Sequence, residues 1–131
     1  MGYVSAQAED GYKPAIRLTT PENFYGKTPP RIFYEGFAPV GRLDIDSTGL
    51  LILTQNGKIA KQVIGPQSQV EKEYVVLVTG EINKEKVKKL CFGLELDGKA
   101  LKKAQVTQEE KHKLRFVLTE GKKRQIRRMC E

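Results

Sequence analysis

Gly41-Arg42-Leu43-Asp44-Ile45-Asp46-Ser47-Thr48-Gly49-Leu50-Leu51-Ile52-Leu53 is the stretch around which this chain is read. A carboxylate stands two residues from an arginine, a polar turn follows, and a wholly apolar run closes it. A charged pair set against a buried strand is costly unless something uses it. Val40 to Leu43 is expected to be a strand leading into Asp44. Asp46-Ser47-Thr48-Gly49 has the side chains of a tight turn. Leu50 to Thr54 then reads as a continuous apolar strand buried on both faces.

Asn56-Gly57 ends that strand, and Ile59, Ala60, Val63 and Ile64 recur at helical spacing, predicting an amphipathic helix over 57–64 that Gly65-Pro66 stops. Upstream, a short strand is expected near 2–6 and a turn of helix near 14–18, followed by loop. Tyr25, Phe33, Tyr34 and Phe37 fall in this loop-like region. They are expected to pack beneath it, with base stacking as the alternative.

Downstream, Glu71 to Thr79 alternates as a strand, with Lys72, Tyr74, Val76 and Val78 on one face. Asn83 is placed to cap a helix ending near Cys91, with Ile82 and Val87 as its hydrophobic staple and Val87, Leu90 and Cys91 as its inner stripe. Leu94 to Val106 reads as strand, Asp97-Gly98 turn, strand, and Leu114 to Leu118 as one more strand. Gly121 opens a basic helix, Lys122 to Glu131, with Ile126, Met129 and Cys130 on one face. Three cations at a helix start oppose the dipole, which points to an anionic ligand there. Helices and strands mix without a regular βαβ rhythm, so the fold class is α+β with a mixed, largely antiparallel sheet and a few short helices.

The chain of 131 residues is sized for one domain. No run spans a membrane, and the N-terminus lacks a basic region followed by an apolar stretch. Cys91, Cys130 and the single His112 carry no metal spacing, so the thiols are expected to be reduced and the protein cytoplasmic. The net charge of +7 lies entirely within residues 41–131, because residues 1–40 balance four basic against four acidic side chains. That asymmetry suits a polyanionic partner such as nucleic acid.

Three chemistries compete for these residues. Asp44 and Asp46 could act as a paired acid, although Asp46 also suits the turn, and no third carboxylate, histidine cluster or phosphate loop supports metal or phosphoryl chemistry. Asp44 could act alone as nucleophile or base, kept ionised by a guanidinium. Or the chain could bind RNA through the basic helix and aromatics without catalysis.

The stretch Gly41 to Gly57 resembles the catalytic motif of the ribosomal RNA pseudouridine synthases. Glu71-Lys72-Glu73-Tyr74 resembles their second motif, and Glu120-Gly121-Lys122-Lys123-Arg124-Gln125-Ile126-Arg127-Arg128-Met129-Cys130 their third; the order of the three is also that of the family. Gly2-Tyr3-Val4-Ser5 resembles the segment directly C-terminal to the family's asparagine-lysine-proline strand.

The resemblance implies a pseudouridine synthase-like catalytic fold and an enzyme that breaks the uracil N1–ribose C1′ bond, turns the base and rejoins it through C5, with no cofactor or metal. It makes Asp44 the catalytic aspartate, whether by attack on sugar or base or by taking a proton. Tyr74 would stack on the target uracil, with help in proton removal as a further possible role. Arg127 would pair with the aspartate, which leaves Arg42 for the RNA backbone. Lys72 would line the pocket, and Lys122, Lys123, Arg124, Gln125 and Arg128 complete the RNA-binding set. Residues 1–131 are then expected to form a single catalytic domain truncated at both ends, without the small N-terminal RNA-binding domain of many members. Its partner is ribosomal RNA. The alternative is a non-catalytic RNA-binding fragment of such an enzyme.

Overall fold

The computed structural model describes residues 2–8, 10–27 and 36–131. The chain divides into two compact units, Met1–Gly65 and Pro66–Glu131.

In the first unit, β1 (Tyr3–Val4) pairs in parallel with β2 (Lys13–Pro14), and two 3-10 turns follow among the described residues, at Ala15–Leu18 and Pro21–Asn23. Phe33 and Tyr34 lie outside the described residues. Tyr25 is fully exposed, so it does not pack beneath the loop as expected. β3 (Ala38–Val40) pairs antiparallel with β4 (Ile52–Thr54), with Val40 opposite Ile52. α1 (Gly57–Ile64) packs against both strands. Asn56 caps it, its side chain accepting from the Lys58 amide at 3.0 Å.

Two expectations fail here. β3 stops at Val40 rather than Leu43, because Gly41 has φ +95, a left-handed value that suits glycine and bends the chain out of the ladder. The apolar run is also not a strand buried on both faces. Only Ile52–Thr54 joins the ladder; Leu50 is 84% exposed and Ile52 is exposed as well. A strand with one partner strand and one packed helix has less cover than unbroken apolar sequence implies.

The second unit is built on a three-stranded antiparallel sheet, β5 (Lys72–Leu77), β9 (Lys113–Leu118) and β8 (Gln105–Glu110), in that spatial order. Register places Tyr74 opposite Phe116, and Phe116 opposite Val106, in one row across the sheet. Phe116 is 0% exposed, and Leu114, Leu118, Val106, Leu101, Ala104 and Met129 bury around it. α2 (Lys84–Cys91) covers this core. Asn83 accepts from the Lys86 amide at 2.8 Å, and both Ile82 and Val87 pack on the core, which is the staple arrangement.

β6 (Glu95–Leu96) and β7 (Lys99–Ala100) form a small hairpin turned by Asp97-Gly98, both at positive φ. The strand expected to run on from that turn is broken. After Ala100 the chain leaves the hairpin, Leu101 and Ala104 bury, and β8 starts at Gln105. The fold is α+β and largely antiparallel, with β1–β2 as a parallel pair, and among the described residues the strands form four small sheets. Among the described residues no helix is long and apolar enough to cross a membrane.

Candidate active site

Asp44 lies just past β3, half-buried, and opens a tight turn: its carbonyl accepts from the Ser47 amide at 2.8 Å. The turn is therefore Asp44 to Ser47, two residues earlier than the side chains at 46–49 suggested. Ile45 and Asp46 occupy its corners, and Asp46 is exposed, which is a turn position rather than half of a buried acid pair.

The residues on either side of Asp44 are tied to the N-terminal strand. The buried Ser5 hydroxyl accepts from the Leu43 amide at 2.8 Å and donates to the Leu43 carbonyl at 3.0 Å. The Ile45 carbonyl accepts from the Gly2 amide at 3.2 Å. Sequence reasoning missed Ser5; its signal was only a small hydroxyl residue after a short strand. Arg42 is exposed in the same unit.

Tyr74 belongs to the second unit. It is half-buried on the inner face of β5, against Phe116, and burial raises its phenol above the ordinary tyrosine range. The ring therefore stays neutral near pH 7, which suits stacking and hydrogen bonding and works against a phenolate base. Lys72, two residues earlier, is half-buried on the same face, and its ammonium donates to the Val70 carbonyl at 3.0 Å. Burial first, and the charge of Lys102 second, lower Lys72 below the usual lysine range. On the opposite face of the sheet, a depression of about 390 Å³ is lined by Glu73, Gln105, Thr107, Glu109, Arg115 and Val117. Arg115 bonds Glu109 there at 2.6 Å, and the depression has no aromatic wall to stack a base.

The third motif differs most from expectation. α3 spans Gln125–Cys130, so Lys122, Lys123 and Arg124 precede the helix instead of crowding its first turn. Gln125 is 4% exposed. Its side-chain oxygen Oε1 accepts from the Lys122 backbone amide at 2.8 Å, and its side-chain Nε2 donates to the Glu120 carboxylate at 3.0 Å. Gln125 is therefore a buried strut that shapes the basic turn. Arg128 is held by Asp97 through two bonds, 3.0 and 2.6 Å, which fasten α3 to the β6–β7 turn. Its guanidinium faces the Asp97 carboxylate and acts as a clamp between the two elements. Arg127 is half-buried, Lys122 half-buried, and Lys123 and Arg124 exposed. Cys130 is exposed rather than on the inner face with Met129. Among the described residues no group of three or more His, Cys, Asp or Glu side chains is placed to hold a metal.

Residues 27–131 match the sequence signature of the RNA pseudouridylate synthase family. The chain belongs to that family. It is similar to the ribosomal large subunit pseudouridine synthase B of Vibrio vulnificus, 36% identical over 92% of this chain and 40% of that protein. The enzyme of the same description from Bacillus subtilis is 35% identical over 99% of this chain and 52% of its own length. The dual-specificity RNA pseudouridine synthase RluF of Escherichia coli is 40% identical over 71% of this chain and 32% of its own. The chain thus spans between about a third and about half of the length of these relatives. A crystal structure of a pseudouridylate synthase superposes on 98% of the chain and 52% of its own with a TM-score of 0.77 at 23% identity, a likeness of fold.

Proposed function

We propose that the protein converts a uridine of ribosomal RNA to pseudouridine. The observation that carries this reading is Asp44: a half-buried carboxylate at the head of a turn whose two neighbours are both bonded to the N-terminal strand, in a chain of the pseudouridylate synthase family. A tethered carboxylate is pre-positioned to attack or to take a proton, so little reorganisation precedes the step.

In this reading the target uridine leaves its stack, at a cost of about a few kcal/mol that is least in a loop or bulge. Tyr74 stacks on the base. Asp44 assists cleavage of the N1–C1′ bond, the base turns, C5 bonds to C1′, and the proton lost from C5 balances the one gained at N1. Arg127 is the arginine of the third motif that acts with Asp44 in this reading. Arg42, Lys72, Lys122, Lys123 and Arg124 hold the RNA backbone. Residues 1–131 act as one catalytic domain, in the cytoplasm where ribosomal RNA is modified.

The competing reading is an RNA-binding chain without catalysis, favoured by the net charge of +7. Carbodiimide mapping of ribosomal RNA incubated with the protein separates the two. A new pseudouridine stop that Asp44→Asn abolishes, with RNA binding retained, supports the enzyme. No stop at any uridine of a bound RNA overturns it.

A further inference from the structure

Lys72 and Lys102 reach one short loop from different elements. The Lys72 ammonium, on β5, donates to the Val70 carbonyl at 3.0 Å; the Lys102 ammonium donates to the Pro66 carbonyl at 3.3 Å. Between those carbonyls Ser68 is buried, its hydroxyl accepting from the Val70 amide at 3.2 Å. Lys102 itself is set rigidly. It is exposed between two buried residues, Leu101 and Ala104, whose amides bond the Leu94 and Cys91 carbonyls at 2.9 Å each.

An ammonium has three donors, and each lysine gives one of them to its own backbone carbonyl. Among the described residues neither ammonium is in an ion pair with a carboxylate. Glu120, beside this segment, turns one oxygen to the Lys102 backbone amide and the Gln125 side chain. The fold therefore holds two like charges at one loop, and their repulsion is felt by Lys72. An anion shared by both turns that repulsion into attraction, with charge-assisted hydrogen bonds to each nitrogen.

We infer that Lys72 and Lys102 together form a binding site for one phosphodiester group of the RNA strand, on the side of β5 that carries Tyr74. Its two non-bridging oxygens take one donor from each lysine. Lys72 and Tyr74 are two residues apart along the strand, about 6.7 Å, the scale of a single nucleotide. The site thus grips the backbone next to the stacked base, and Lys102 enters it from a segment outside all three sequence motifs. The inference rests on the RNA-modifying reading.

The test is binding of a uridine-containing single-stranded oligoribonucleotide across a salt series, with the intact protein. Lys102→Ala and Lys72→Ala are each expected to lower the slope of log affinity against log salt by about 0.7. Together they lower it by less than the sum, because they share one phosphate. Lys102→Arg retains the wild-type slope. Scanning a single uncharged methylphosphonate along the strand weakens the wild type at one position, and that position has no further effect in the Lys72→Ala/Lys102→Ala protein. Overturning results are an unchanged slope in Lys102→Ala, or a different sensitive linkage for each lysine. Because this readout is binding, its failure with pseudouridine still formed refutes only the site. The expected slope changes without any pseudouridine refute only the enzymatic reading.

Discussion

One hydroxyl, Ser5 Oγ, both accepts from the amide and donates to the carbonyl of Leu43, 38 residues along the chain and immediately before Asp44. Both polar backbone groups of Leu43 are satisfied by one small side chain. This fixes the peptide from which Asp44 projects, and the Gly2–Ile45 bond fixes the peptide after it.

Removing that hydroxyl should therefore loosen Asp44 without touching RNA contacts. Ser5→Ala is expected to lower kcat by about 10- to 100-fold with KM unchanged, since an ångström of misplacement at a reacting group has that effect. Ser5→Thr, which keeps the hydroxyl, restores most of it. Steady-state kinetics on a uridine-containing RNA check this; equal loss in kcat and affinity would make Ser5 a general folding residue instead.

Tyr74 has a raised phenol in the folded state because it is buried against the core. A group whose folded value is raised contributes stability that is full below its unfolded value, about 10, and lost as pH climbs through the folded one. Tyr74→Phe should flatten the alkaline fall in thermal stability, seen by circular dichroism melts between about pH 9 and 11. It should leave activity near pH 7 within about tenfold if stacking is the ring's role. A loss as large as that of Asp44→Asn would make the hydroxyl a proton-transfer group.

The Asp97–Arg128 clamp makes an opposite acid-side prediction. The hydrogen bonds from Arg128 hold Asp97 below the usual carboxylate range. Its contribution is full above the unfolded value, about 3.9, and is lost as pH falls through the depressed one. Asp97→Asn keeps the left-handed turn that asparagine tolerates but loses the charge. Hydrogen exchange of the α3 amides is expected to quicken in Asp97→Asn and in Arg128→Ala to the same extent, and no further in the double variant. Additive effects would mean that the two side chains act separately.

Phe116 is the wholly buried centre of the second unit, opposite both Tyr74 and Val106. Phe116→Ala should cost about 3–5 kcal/mol by chemical denaturation. Since the aromatic ring also backs Tyr74, Phe116→Leu is expected to fold yet bind a stacked uracil more weakly. Unaltered affinity in that variant would separate the core from the base platform.

Much of this was legible from local pattern. The helical spacing from Ile59 to Ile64, the cap Asn83, the stripe Val87-Leu90-Cys91 and the alternation from Lys72 to Val78 are short-range signals, and each element forms where those signals put it. What was not legible depends on partners distant in sequence. Apolar continuity at 50–54 does not report how many neighbours a strand has. The cations at 122–124 read as a helix start because nothing local shows that Gln125 folds back on Lys122 and Glu120. The partner of Arg128 in the fold is Asp97, 31 residues away, which no local pattern shows. Ser5 carries no motif signal of its own; only its place against Leu43 gives it a role.

The clamp at Asp97 also bears on how the molecule ages. Aspartyl-glycyl sequences are chemically fragile, because the glycine nitrogen can attack the aspartyl carboxyl carbon, expel water and form a cyclic imide. That ring reopens largely to an isoaspartyl linkage, with an extra carbon in the main chain. At Asp97-Gly98 such a lengthening would spoil a turn whose two corners both need positive φ. The attack proceeds best on a protonated, freely rotating carboxyl. Arg128 keeps the Asp97 carboxylate ionised and engages both its oxygens, so the pair that fastens α3 to the hairpin also slows the covalent decay of the bend it grips.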